Sequence, residues 1–150
     1  MPQSLVKNYV HITFSTKERF PFIDNSINLE LYNYLGGICR DHECYPVQVG
    51  GYTDHIHILC LLSKKIALVT LLEHLKSHSS SWIKNKGNQF KKFYWQKGYG
   101  CFSVNPKQIS DVQRYILDQH IHHKKISFQQ EYLSFLKKYN VDYNEKYLWD

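Results

Sequence analysis

An α+β fold is predicted by three features of the sequence: short apolar segments of period two, longer segments with apolar residues three and four apart, and the order in which they alternate. That order is strand, helix, strand, strand, helix, strand, then two further helices. It is the split β-α-β-β-α-β antiparallel sheet of ferredoxin-like folds, with helices on one face and additional C-terminal helices.

Each element has its own reason. Residues 9–14 alternate, Val10, Ile12 and Phe14 on one face and Tyr9, His11 and Thr13 on the other, so they form the first strand. After the basic turn Thr16-Lys17-Glu18-Arg19, Asp24 is the expected cap of a helix whose Ile27, Leu31, Tyr34, Leu35 and Ile38 share a face. Gly36-Gly37 weakens its last turns. Residues 44–49 read as a second strand, with Pro46 placing its start at an edge or bulge. Gly50-Gly51 then punctuates, and residues 55–62 are a third strand, apolar on both faces except for two histidines. Residues 66–86 carry Leu68, Leu71, Leu72, Leu75, Trp82 and Ile83 at helical spacing. A short fourth strand spans 101–104, and Asn105-Pro106 caps and begins a third helix reaching about His122. Ser127 with Gln130 makes a capping box for a fourth helix through about Tyr139. No linker or repeat interrupts residues 1–150, so one domain is expected.

Composition excludes several classes. A chain with 43% hydrophobic and 15% aromatic residues is globular, neither disordered nor fibrous. At 150 residues it buries about 68 to 70 per cent of its unfolded surface without staples. No apolar run approaches the roughly 18 residues of a membrane span, and residues 1–9 lack a secretory pattern, so a cytoplasmic protein with no membrane partner is expected. Cys39, Cys44, Cys60 and Cys101 contain no CxxC pair and read as buried thiols. Lys plus Arg number 19 against 13 acids, and the resulting +6 favours a polyanion. Only Arg19, Arg40 and Arg114 are arginine; lysine, a point charge, suits phosphates better than base edges.

Between Lys64 and Lys97 the lysines face a single acid, Glu73, and are interleaved with Trp82, Phe90, Phe93, Tyr94 and Trp95. Cations with aromatic rings are the composition of a single-strand groove. Lys84, Lys86, Lys91, Lys92 and Lys97 are the expected DNA contacts, and residues 87–100 the expected flexible nucleic-acid loop, with half of these aromatics assigned to the core.

The residues that could carry chemistry are fewer. His55 and His57, two apart on the third strand, point to one face and can hold a metal together, with Asp54 or a carbonyl fixing a tautomer. Two hydrogen-bonded histidines on a half-buried sheet would give the same pattern. Tyr115 and Gln119 are neighbours on the third helix and flank its apolar stripe Ile109, Val112, Ile116. Gln119 could complete a mixed nitrogen and oxygen site and leave positions open for phosphate oxygens. His120, His122 and His123 end that helix, where its dipole favours cations, and no role in the site is assigned to them.

Taken jointly, His55-Ile56-His57 after Gly50-Gly51, Tyr115 with Gln119, the run from Tyr94 to Val104, Thr16-Lys17-Glu18-Arg19 and the closing Tyr147-Leu148-Trp149-Asp150 resemble the single-tyrosine HUH transposases of the smallest bacterial insertion sequences. The resemblance covers nearly the whole chain. It implies that His55, His57 and Gln119 ligate a divalent metal, Mg2+ or Mn2+, and that Tyr115 is the nucleophile. Its attack would give a covalent 5′-phosphotyrosine and a free 3′-hydroxyl. The implied partners are single-stranded DNA with a hairpin at the element ends and a second subunit, in a homodimer whose active sites can be shared between chains.

Two other readings compete. His11-Ile12-Thr13 matches half of a two-histidine phosphodiesterase, but a second strand-borne copy is missing, His78-Ser79-Ser80 falling on a helix. Lysines and aromatics alone suit a non-catalytic ferredoxin-like single-stranded nucleic-acid-binding module, which has no use for Tyr115.

Overall fold

A computed structural model describes residues 2–150. Its sheet contains β1 (Tyr9–Ser15), β2 (Tyr45–Tyr52), β3 (His55–Leu61) and β4 (Gly100–Val104) in the order β2-β3-β1-β4. Every neighbouring pair is antiparallel, as the split β-α-β-β-α-β reading requires. Register sorts the side chains. Val10, Ile12 and Phe14 lie opposite Cys60, Ile58 and Ile56. These residues form the main core with Leu31, Leu35 and Ile38 of α1 (Asn28–Asp41) and Leu71, Leu72, Leu75 and Ile83 of α2 (Leu68–Lys84).

The alternate residues of the same strands, among them His11, Thr13, His55, His57 and Leu59, face the other way and are just as buried. What covers them is the C-terminal part of the chain. Ile116 of α3 (Ile109–Leu117) packs with Leu59 and Val104. Phe128, Tyr132 and Leu136 of α5 (Phe128–Lys138) pack on Phe102, with α4 (Gln119–His122) between α3 and α5. The capping box forms as expected, Ser127 Oγ accepting from Gln130 N while Gln130 Oε1 accepts from Ser127 N. A last turn, α6 (Glu145–Leu148), ends near Arg19, whose guanidinium lies over the Trp149 ring.

Four local expectations are corrected. Gly50-Gly51 does not interrupt the sheet: β2 runs through both to Tyr52, and the hairpin turns at Thr53-Asp54. The glycines are there for closeness. A Cβ on Gly50 would meet Ile116 Cγ2 at 2.9 Å, and one on Gly51 would meet the His55 carbonyl oxygen at 2.3 Å. Asp24 does not cap α1, which begins at Asn28: its carboxylate instead accepts a hydrogen bond from Ser26 N at 2.9 Å, while Gly36-Gly37 falls in the last turns of α1 as expected. The third helix is broken at Asp118 into α3 and α4, after a 3-10 turn at Pro106–Gln108.

The fourth correction concerns residues 87–100. Phe90, Phe93 and Trp95 belong to the main core, and Trp82 packs against it; of the five interleaved aromatics only Tyr94 is exposed. The segment is tied down, with Lys17 N donating to Tyr94 O, Gln96 N to Ser15 O, and Lys76 Nζ to the carbonyls of Gln96, Lys97 and Gly98.

A stability prediction follows from the hairpin. Gly51→Ala should cost about 1 to 3 kcal/mol, because the clash is with backbone that carries His55. Gly37→Ala, with open space around its Cβ in mid-helix, should gain up to about 1 kcal/mol. Urea unfolding midpoints check both, and equal midpoints would refute the reading of Gly51.

Candidate active site

The sheet face opposite α1 and α2 holds a polar cluster in a setting of near-zero exposure. His55 and His57 of β3 are both fully buried, side by side through the period-two alternation of the strand. Their Nδ1 atoms turn outward to partners: Asp54 Oδ1 at 2.7 Å from His55 and His11 Nε2 at 2.8 Å from His57. Their Nε2 atoms turn inward to a common point. His57 Nε2 is 3.0 Å from Glu131 Oε1, and His55 Nε2 is 3.5 Å from the same oxygen and 2.9 Å from Gln119 Oε1.

Glu131 is the hub. It lies on the core-facing stripe of α5 between Phe128 and Tyr132 and is only 2% exposed. Besides the two histidines, it accepts hydrogen bonds from the Tyr115 hydroxyl and from Gln119 Nε2, and His123 Nε2 lies 3.3 Å from Oε2. The break at Asp118 turns Gln119 under the sheet while Tyr115, one helical turn earlier, stays half-buried at the edge of the cluster. Tyr115 stacks on His122 and lines a cavity of about 380 Å³ with His11, Asp111, Phe135, Lys138 and Tyr139. Tyr115 therefore borders both the buried cluster and this cavity.

The electrostatics follow from burial against one carboxylate. Burial drives the His11 imidazole down to about 3, with the neighbouring His57 adding to the shift, so His11 is neutral. Burial also lowers His57, although Glu131 opposes it. For Glu131 itself burial acts upward, but His57, His123 and His55 outweigh it and hold the carboxyl well below the usual range. His123 is raised: burial acts to lower it, and Glu131 more than offsets that. Tyr115 is pushed far above an ordinary phenol by burial first and then by the charge of Glu131.

The donor set fits a cation. His55, His57 and Glu131 each offer one atom, all within 4.8 Å of one another, and this is a possible metal-binding site. Glu131 Oε1 lies 3.0 Å from His57 Nε2 and 3.5 Å from His55 Nε2, close to the roughly 3 Å edges expected of donors held about 2.1 Å from one ion.

The structure brings His55, His57, Tyr115, Gln119 and Asp54 into one cluster, and adds Glu131, which the sequence did not single out, and His123 and His11, to which it gave no role in this site. Glu131 had a signal: a carboxylate inside the apolar stripe Phe128, Tyr132, Phe135, Leu136. His11 shows only as a polar residue on a strand face and His123 only as one of a histidine cluster at a helix end, and neither pattern points to β3. The five lysines lie elsewhere. Lys84 Nζ sits 4.0 Å over the Tyr94 ring, and Lys86 pairs with Glu30 at 2.8 Å and lies 4.4 Å over Trp82. Lys91 and Lys92 line a surface groove with Lys17, Phe20 and Phe22, and the Lys97 backbone N–H donates to Asp150 O. Lys84 and Lys86, at the end of α2, are on the side of the sheet away from the histidines.

Comparison with known proteins gives one family and a consistent fold. No curated protein sequence matches the chain. Among solved structures, the chain is similar to a putative transposase from Deinococcus radiodurans R1, with a TM-score of 0.61 at 18% identity, covering 79% of this chain and 96% of that one. It is also similar to a REP-associated tyrosine transposase bound to a REP hairpin, with a TM-score of 0.60 at 13% identity, covering 84% of this chain and 74% of that one. Both share its four-stranded α+β architecture. Among the described residues, no helix is long and apolar enough to cross a membrane. The family model described as "Transposase IS200 like" matches residues 4–119, a span that takes in both histidines, Tyr115 and Gln119, and the chain therefore belongs to the IS200-like transposases, enzymes of DNA transposition.

Proposed function

We propose that this transposase is a single-domain, cytoplasmic enzyme that cleaves and rejoins single-stranded DNA at insertion-sequence ends, using Tyr115 as its nucleophile. One observation carries the reading: the Tyr115 hydroxyl is directed at the same carboxylate that faces His55 and His57. In the reaction, a Tyr115 Oη–phosphorus bond forms as the bond from phosphorus to the 3′-oxygen breaks, leaving a 5′-phosphotyrosine and a free 3′-hydroxyl. Glu131 Oε2 accepts the hydrogen bond of the phenol and so orients the nucleophile, while the phenol proton is released to solvent as the leaving 3′-oxygen takes one up. A 3′-hydroxyl can later attack the phosphotyrosine and restore a phosphodiester without an external energy source.

His55, His57 and Glu131, with Gln119 beside them, would hold the metal. When bound, such an ion polarises the scissile phosphate and stabilises charge that a neutral phenol could not meet alone. Mg2+ favours the oxygen donors and Mn2+ tolerates the two imidazoles, and the proposal includes either. The DNA partner is single-stranded with a hairpin at the element ends, in keeping with the hairpin on the similar REP-associated transposase. Joining two ends calls for two cleavages, so a homodimer is part of the proposal. A non-catalytic binding module would form no covalent adduct through Tyr115.

The test uses hairpin-bearing single strands taken from either side of the encoding gene, labelled at the 3′ end. With Mn2+ or Mg2+ a labelled, detergent-stable protein–DNA band is expected, and excess chelator should remove it. Absence of that band with every flanking hairpin would overturn the proposal.

A further inference from the structure

We infer that His11 is a positioning residue that sets the tautomer of His57, and so decides whether His57 offers a lone pair to a cation. The inference rests on the metal reading of the site above and concerns a residue outside the ligand set.

A neutral imidazole has one N–H donor and one acceptor nitrogen. For His57 Nε2, the atom that faces Glu131 at 3.0 Å, to give its lone pair to a cation, the ring proton must sit on Nδ1. That nitrogen meets His11 Nε2 at 2.8 Å. Solvent cannot stand in, since His57 is fully buried and His11 is 2% exposed. The contact is built into the sheet. His11 is paired with Leu59, two residues along β3 from His57 and on the same face, and Phe135 holds the His11 ring edge-on at 5.3 Å.

The two histidines of the site are therefore served differently. His55 Nδ1 meets a carboxylate, Asp54, which only accepts, so with a cation bound the ring proton sits on Nδ1; without one, Nε2 faces the acceptor Gln119 Oε1 at 2.9 Å. His57 meets another imidazole. Without a cation, Glu131 draws a proton to His57 Nε2, and His57 Nδ1 accepts from His11 Nε2–H. With a cation, the pair reverses: His57 Nδ1–H donates and His11 Nε2 accepts, the proton of His11 having moved to its own Nδ1. No net proton is gained or lost by His11.

The test measures Mn2+ binding to the full chain by electron paramagnetic resonance, without DNA. His11→Phe, which keeps a ring but no acceptor, should weaken binding about 10- to 100-fold. His11→Gln, whose side-chain oxygen accepts, should regain most of it. In the wild-type chain with nitrogen-15-labelled histidine, adding diamagnetic Zn2+ should move His57 Nδ1 from unprotonated to protonated while His55 Nδ1 stays protonated. Wild-type affinity in a folded His11→Phe protein, or an unprotonated His57 Nδ1 in the metal-bound chain, would overturn the inference. If His11→Phe does not fold, the wild-type spectrum decides alone. A chain that binds metal and shows the reversal but never forms a DNA adduct overturns the proposed reaction and leaves the role of His11 standing; a chain that binds no Mn2+ overturns both.

Discussion

Tyr115→Phe abolishes the covalent protein–DNA band and leaves single-strand binding near the wild-type level: this is the largest effect expected of any single substitution. The change removes one oxygen. The ring contacts with His122, His57 and Phe135 remain, so the fold and the cavity beside the site should persist. The hydrogen bond to Glu131 goes, but that carboxylate keeps Gln119, His57 and His123 as partners. Labelled oligonucleotide run in detergent reads the adduct, and a gel shift reads binding. An adduct formed at wild-type level by the Phe protein would exclude Tyr115 as nucleophile. The same protein also tests assembly. Histidines, carboxylate and tyrosine come together within one chain, so mixing Tyr115→Phe with His57→Ala should restore no cleavage. Restored cleavage would mean that the tyrosine helix serves a partner's histidines.

Glu131→Ala should have the second largest effect, acting on metal binding and on stability at once. The carboxylate is the one group that touches His55, His57, Gln119, His123 and Tyr115. Its loss removes the only negatively charged donor from the possible metal site, so Mn2+ affinity should fall by more than about 100-fold, beyond the range typical of groups that merely orient ligands. It also strands buried donors, at a cost of about 1 to 3 kcal/mol for each one left unpaired. Glu131→Gln keeps the shape and several hydrogen bonds and should separate the two effects, recovering much of the stability with little of the affinity. Titration calorimetry with Mn2+ and urea unfolding measure them. Unchanged Mn2+ affinity in Glu131→Ala would pass the third-ligand role back to Gln119, where the family resemblance places it.

How far each part could be read beforehand depends on the range of the interaction that creates it. The side-by-side histidines of β3 were legible because strand alternation is local, and the same is true of the face shared by Tyr115 and Gln119 and of the Ser127 capping box. The break at Asp118 was not, since nothing in residues 106–122 opposes a continuous helix. Gly50-Gly51 is ambiguous in sequence: a glycine pair that ends a strand and one that lets a helix and a hairpin come close look alike until the neighbour, here Ile116 and the His55 carbonyl, is in place. The aromatics of residues 87–100 were ambiguous for a related reason, because a ring that stacks on a base and a ring that fills a core present the same apolar surface.

The α+β class, the order of strands and helices, the pairing of His55 with His57 and the placing of Tyr115 on a helix are legible in the chain alone, because all of them rest on periodicity, caps and residue type within a few positions. That the later helices roof the histidine face, that Glu131 joins His57 across 74 residues and that His11 joins it across 46 becomes visible in three dimensions alone. Those contacts arise because the sheet has two faces to bury, and what covers the second face is set by how distant segments fit together.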